Sequence, residues 1–229
     1  MPKWITPEEA AKLIPEGATI MVGGFMGCGS PHCILAELVR MGTGKLTVIC
    51  NDGATVNGPA GGLYAMAKLI HNKQVKKLIA SHVGLNPEVA EQMNEGTLEV
   101  TLIPQGSLAE MIRAGGAGLG GILTPTGFGT VVQDAEHVHS VLEIDGKNYL
   151  LEKPLRADFA LINGYKIDKA GNVWYKGTTR NFNVPMATAA DIVIAEADNV
   201  VEIEEIEPEN VMTSGIFIDY VVEGGRQNG

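Results

Sequence analysis

From Thr6 to Gly116, short apolar runs alternate with capped helical segments, and few folds accommodate that pattern. Ala18 to Val22, Leu46 to Cys50, Lys77 to Ser81 and Leu98 to Ile103 have the length and composition of buried strands. Thr6-Pro-Glu-Glu9 supplies an N-cap, a Pro at the first helical position and a Glu three residues on. A helix is therefore expected from there to about Pro15-Glu-Gly17. Ser30-Pro31 repeats the start signal for a helix reaching Gly42. Leu63 to Ile70 and Pro87 to Asn94 are expected to be helical, and Ser107-Leu-Ala-Glu110 reads as a second capping box opening a helix that stops at Gly115-Gly116. Strands separated by helices of this length imply parallel pairing with crossover helices.

Beyond Gly115 the pattern changes. Residues 115 to 129 are turn-rich, and Val138 to Ile144, Asp145-Gly146 and Lys147 to Leu151 read as a β-hairpin closed by a two-residue turn. Phe159 to Ile162, Gly171 to Tyr175, Ile192 to Glu196 and Ile216 to Val222 are further strand candidates. The fold class is thus α/β, a mostly parallel sheet with crossover helices plus a β-hairpin elaboration. No linker interrupts the chain, so residues 1 to 229 are expected to form one domain, with a loose tail over residues 224 to 229.

The balance of charge excludes some functions. A formal net charge of −10 argues against nucleic-acid binding, and Lys73-Gln-Val-Lys-Lys77 is too short to reverse it. Three cysteines in 229 residues, without paired metal spacing, suggest reduced thiols and a cytoplasmic setting. Cys33 and Cys50 read as small buried hydrophobes. Met1-Pro-Lys-Trp-Ile has no signal-peptide character, and neither a membrane span nor a metal site is expected. The acidic run Glu202, Glu204, Glu205, Glu207 and Glu209 reads as a solvated edge. Lone His71 and His82 read as structural or exposed, and Arg113 as a cation at a helix C-terminus.

The stretch Val22-Gly-Gly-Phe-Met-Gly-Cys-Gly-Ser-Pro31 is the densest signal. A glycine loop between a strand and a capped helix leaves backbone N–H groups open to an anion or a closely approaching ligand. Its order, Gly24-x-x-Gly27-x-Gly29, is neither the dinucleotide fingerprint nor a phosphate-cradling ATP loop. Spacing alone leaves two readings open, a ligand-contact loop and a loop whose glycines serve packing.

Read whole, G-G-F-x-x-x-G-x-P resembles the signature of family I coenzyme A transferases, in particular the A (α) subunits of acetate/butyrate-acetoacetate (3-oxoacid) enzymes. The likeness spans nearly the entire chain. It includes Asn51-Asp52, Ala80 to Gly84 with Asn86-Pro-Glu88, and Ile103-Pro-Gln-Gly106. It continues through Arg113 to Gly118, Thr124 to Gly127, Arg156-Ala-Asp158 and Arg180-Asn-Phe-Asn183. Glu16 departs from the Asp or Asn that usually opens the signature, and only a local effect on the turn is expected. The architecture implied is one shared with sugar-phosphate isomerases.

The resemblance implies a covalent mechanism in which a glutamate attacks the acyl-CoA thioester. In that family the glutamate lies in a Ser-Glu-Asn-Gly motif on a B (β) subunit, and this chain has no such motif. The chain is therefore expected to supply half an active site within an A2B2 or larger assembly. Coenzyme A and short-chain carboxylates would be substrates, with no permanently bound cofactor. The resemblance assigns Gln105 and Asn51 as oxyanion-stabilising amides, and Gly23, Gly24, Phe25, Met26, Gly27, Cys28 and Gly29 to contact with CoA. From the residues alone, Gln105 could equally bond local backbone, Asn51 could close an Asx-turn, and Phe25 could be core. A non-catalytic CoA- or sugar-phosphate-binding α/β protein is the alternative.

Overall fold

A computed structural model describes residues 1–225. Its main sheet contains eight parallel strands in the order β1-β12-β11-β9-β2-β3-β4-β5. These are β1 (Lys3–Ile5), β2 (Thr19–Val22), β3 (Leu46–Cys50), β4 (Val75–Ala80), β5 (Glu99–Leu102), β9 (Ala157–Asp168), β11 (Ala190–Val201) and β12 (Tyr220–Glu223). The short β10 (Val173–Trp174) runs antiparallel beside β9. A second sheet, order β6-β8-β7, joins β6 (Ile122–Thr124), β7 (Val138–Ile144) and β8 (Lys147–Glu152). Asp145 and Gly146 turn the β7–β8 hairpin with φ of 51° and 74°, as a two-residue primed turn requires.

Buried strand residues alternate between two layers. Ile20, Val22, Val48 and Cys50 face one apolar cluster with Ile34, Leu35 and Leu38 of α2 (His32–Met41). Met21 and Ile49 face the other, with Leu108, Met111 and Ile112 of α5 (Gln105–Gly116) and Met186 of α6 (Asn183–Met186). Period-2 alternation thus buries both faces of the sheet, as crossover helices demand. Each fully buried Leu or Ile contributes roughly 1.5–3 kcal/mol.

The helix starts are instructive. α1 (Pro7–Leu13) has its capping box, with Glu9 N bonded to Thr6 Oγ1 at 3.2 Å and Thr6 N to Glu9 Oε2 at 2.8 Å. α4 (Pro87–Asn94) begins where expected, capped by Asn86. The other two start signals are corrected. Ser30 does not cap α2, because its hydroxyl donates to Gly23 O at 2.9 Å. Ser107 does not cap α5, which starts at Gln105 directly after Pro104; Glu110 instead pairs with Arg113 at 2.7 Å.

The helix expected at Leu63 to Ile70 shortens to α3 (Ala67–His71), since Ala65 adopts φ +48° and interrupts the turn. Gly224, assigned to a loose tail, donates its N–H to Ala197 O at 2.9 Å; residues 226–229 lie outside the described residues. No helix among the described residues is long and apolar enough to cross a membrane.

Candidate active site

Strand order places the site. The connection that leaves β2 runs to β3 on one side, whereas the one that leaves its other neighbour, β9, leads on to β11 on the opposite side. Such a switch point opens a crevice at the carboxyl ends of parallel strands. The glycine loop occupies it, with Gly23 N bonded to Leu161 O of β9 at 2.9 Å. Gly24, Gly27 and Gly29 have φ of 119°, 85° and 75°, and Met26 has 51°.

Packing accounts for the glycines. A Cβ on Gly23 would strike the Asn183 amide, on Gly24 the Ser30 hydroxyl, and on Gly27 the Tyr64 ring. On Gly29 it would lie 2.8 Å from the Thr179 backbone carbonyl. The bare positions are therefore cleared for the protein's own neighbours, which favours packing between the two readings that spacing left open.

The loop is clamped from remote chain segments. Asn181 accepts from Gly24 N at 3.1 Å and donates to Cys28 O at 3.0 Å. Buried Asn183 donates to Gly29 O at 2.9 Å and accepts from Asn163 N at 3.1 Å. Asp52 accepts from Met26 N at 2.7 Å, from Ala54 N at 2.7 Å and from Asn51 Nδ2 at 2.6 Å. The Asx-type closure after β3 thus belongs to Asp52, not Asn51. Glu196, from β11, takes the place of a local cap on α2: its carboxylate accepts from Cys33 N at 2.9 Å and Ile34 N at 3.0 Å. Burial raises the Glu196 carboxyl, and these amide bonds work against that rise. Clamps of such sequence separation carry no local signal, although the Asn51-Asp52 and Arg180 to Asn183 stretches stood out through the family resemblance.

Asn51 and Gln105 meet. Gln105 Nε2 donates to Asn51 Oδ1 at 2.8 Å. Asn51 is 2% exposed, with its oxygen taken by Gln105 and its NH2 group donating to Asp52. Gln105 is exposed and keeps a second N–H without a partner among the described residues. Of the two amides, Gln105 is the one that can present a donor outward.

On the other side of the loop lies a cleft of about 620 Å³, walled by Phe25, Met26, Cys28, His32, Tyr64 and Asp198 among others. Phe25 is 43% exposed, so its place is the cleft wall and not the core. His32 Nε2 lies 3.1 Å from Gly27 O, and burial pulls its pKa down to about 4. The ring is therefore neutral near pH 7 and donates through Nε2–H, with Tyr64 stacked at a tilt 4.5 Å away. Asp198, which accepts from Asn163 Nδ2 at 2.9 Å, is the charged side chain in the wall, and burial raises its carboxyl. Neither Gln105 nor Asn51 lines this cleft. Cys50 is buried, Cys33 half-buried and Cys28 exposed. The acidic residues from Glu202 to Glu209 are exposed, as an outer edge should be. Arg113 points to its own helix and not to the site.

The glycine loop and the Asn51–Gln105 pair thus share the carboxyl end of the parallel sheet. The comparisons give that arrangement a family. A family model described as Coenzyme A transferase matches residues 5–224. The chain is 47% identical over 220 residues to the acetate CoA-transferase subunit alpha of Escherichia coli K12, covering 96% of each chain. It is 48% identical over 221 residues to the acetoacetyl-CoA:acetate/butyrate CoA transferase alpha subunit of Clostridium acetobutylicum, covering 96% of this chain and 97% of that one. Among solved structures, an acyl-CoA transferase of Escherichia coli O157:H7 shares the fold with a TM-score of 0.86 at 21% identity; this chain is covered fully and spans 49% of that one. Glutaconate coenzyme A-transferase of Acidaminococcus fermentans gives 0.82 at 21% identity, covering 97% of this chain and 76% of that one. The chain belongs to the coenzyme A transferase family.

Proposed function

We propose that the chain is the α subunit of a short-chain acyl-CoA:carboxylate CoA-transferase, acting with a β subunit that carries the nucleophilic glutamate. One observation carries the division of labour. The rim offers an outward amide on Gln105, while Asp52, the carboxylate nearest it through Asn51, is buried and occupied by three N–H donors. A carboxylate so engaged is a poor nucleophile, which supports an attacking group supplied by a second chain.

The chemistry then runs in balanced steps. The β-subunit carboxylate attacks the thioester carbonyl of acyl-CoA, the C–S bond breaks, and an acyl–glutamyl anhydride and CoA thiolate result. The thiolate attacks the glutamyl carbonyl, releasing the acyl carboxylate and leaving a glutamyl-CoA thioester. An incoming carboxylate reverses both steps and departs as the new acyl-CoA, restoring the glutamate. Each attack places negative charge on a carbonyl oxygen. The free N–H of Gln105, fixed by Asn51, is aimed to stabilise it, and a neutral amide does so without pairing permanently with the carboxylate substrate. The glycine loop and the apolar walls at Phe25 and Met26 contact the CoA arm. Acetoacetate, acetate and butyrate are the acids proposed, in a cytoplasmic α2β2 or larger assembly.

The test is reconstitution. The chain is assayed alone and with its β companion for CoA exchange between acetoacetyl-CoA and acetate. Activity is expected only from the mixture. Turnover by the isolated chain, or a thioester trapped on one of its own carboxylates, would overturn the proposal.

A further inference from the structure

Most of the buried side-chain polar atoms without a partner among the described residues gather at one place outside the cleft. They are Ser107 Oγ, both ring nitrogens of His137 and both carboxyl oxygens of Glu152. Glu152, the last residue of β8, is 0% exposed; Ser107 and His137 are 5% and 8% exposed. His137 Nε2 stands 4.0 Å from Glu152 Oε1. Ser107 sits two residues after Gln105, in the first turn of α5.

A bare carboxylate in such surroundings would lack both solvent and a counter-ion. Burial raises the Glu152 carboxyl, with only Ser107 easing it, and burial together with Lys153 lowers the His137 imidazole. Both directions favour the uncharged forms. The Ser107 hydroxyl faces Glu152 without reaching hydrogen-bond geometry. An uncharged carboxyl has one O–H to give and a carbonyl oxygen to receive, which matches an imidazole nitrogen on one side and a hydroxyl on the other.

We propose that Glu152 is a positioning residue for Gln105: its carboxyl, buried beside His137 and facing Ser107, holds the first turn of α5 against the small sheet. This rests on the reading of Gln105 as the oxyanion donor.

The test is a double-mutant cycle in the assembled enzyme. Glu152→Gln, isosteric and uncharged, is expected to keep kcat within about threefold of the parent. Glu152→Ala is expected to lower kcat at least tenfold with the KM for acyl-CoA within about twofold. On a Gln105→Ala background, Glu152→Ala is expected to add no further loss, because the group it positions is gone. Additive losses, or Glu152→Gln failing as badly as Glu152→Ala, would overturn the inference. Should Glu152→Ala not fold, Ser107→Ala takes its place in the same cycle. Amide hydrogen exchange gives an activity-free readout: residues 105–108 should exchange faster in Glu152→Ala and not in Glu152→Gln. Unchanged exchange would sink the positioning role, whereas a parent complex without CoA exchange would sink the proposed function instead.

Discussion

Gln105 Nε2 and Asn51 Oδ1 lie 2.8 Å apart, although the residues come from different strand ends. The bond sorts two amides of similar chemistry into different roles. Asn51 spends its side chain inside the protein, and Gln105 faces out. Gln105→Ala is expected to lower kcat by about 100-fold or more, the usual loss on removing one oxyanion donor, with assembly intact. Asn51→Ala should lower kcat less and should add little in the Gln105→Ala background. Steady-state kinetics on the two single variants and the double variant decide this, and an unaltered kcat for Gln105→Ala would reject its catalytic role.

Gly24 supplies a second prediction. With φ of 119° and the Ser30 hydroxyl where a Cβ would go, Gly24→Ala strains the loop before any ligand arrives. The positive φ alone costs roughly 1–2 kcal/mol, which corresponds to a Tm lower by at least about 2 °C. Gly24→Val should be worse, so it tests loop integrity rather than ligand access. A thermal melt of Gly24→Ala that overlays the parent would contradict the packing account.

His32 makes stability depend on acidity. Its pKa is about 4 in the fold against roughly 6.5 unfolded. The unfolded chain therefore binds the proton more readily. Stability from this group is complete above about pH 6.5 and is lost as pH falls toward 4, amounting to about 3 kcal/mol over that span. His32→Gln should flatten that part of the curve while keeping a donor for Gly27 O. Urea melts from pH 7 to pH 4 measure it; equal slopes in parent and variant would refute the assignment.

Glu196 caps a helix from afar, so Glu196→Ala strips two N–H groups of α2 of their acceptor. The expected cost is about 1–3 kcal/mol for buried donors left unsatisfied. Chemical denaturation reads it, and a loss below about 0.5 kcal/mol would show that another group caps α2.

Local rules made much of the fold readable. β3 and α4 coincide with their expected bounds, since an apolar run and an Asn-Pro start need no distant partner. Ser30 and Ser107 show where such rules fail. Each stands at a plausible cap, but Ser30 turns its buried hydroxyl to Gly23 O and Ser107 falls inside the first turn of α5, which a three-residue motif cannot report. Three-residue strands such as β1 and β6 are set by their sheet neighbours and went unread. At the site, Gln105, Asn51 and the loop could be picked out from motifs. Asp52, Asn183 and Glu196 could not be given their tasks, because each bonds a partner whose position only the folded chain defines.

The Glu196 contact also has a temporal side. α2 and the glycine loop leave the ribosome early, whereas the carboxylate that completes α2 and the asparagines that hold the loop lie some 150 residues later. A nascent chain halted before Asn181 would present that loop to the cell without its two asparagine clamps. The setting of the glycine loop is thus finished only by the last fifth of translation, and a product truncated earlier carries the loop without its full set of supports.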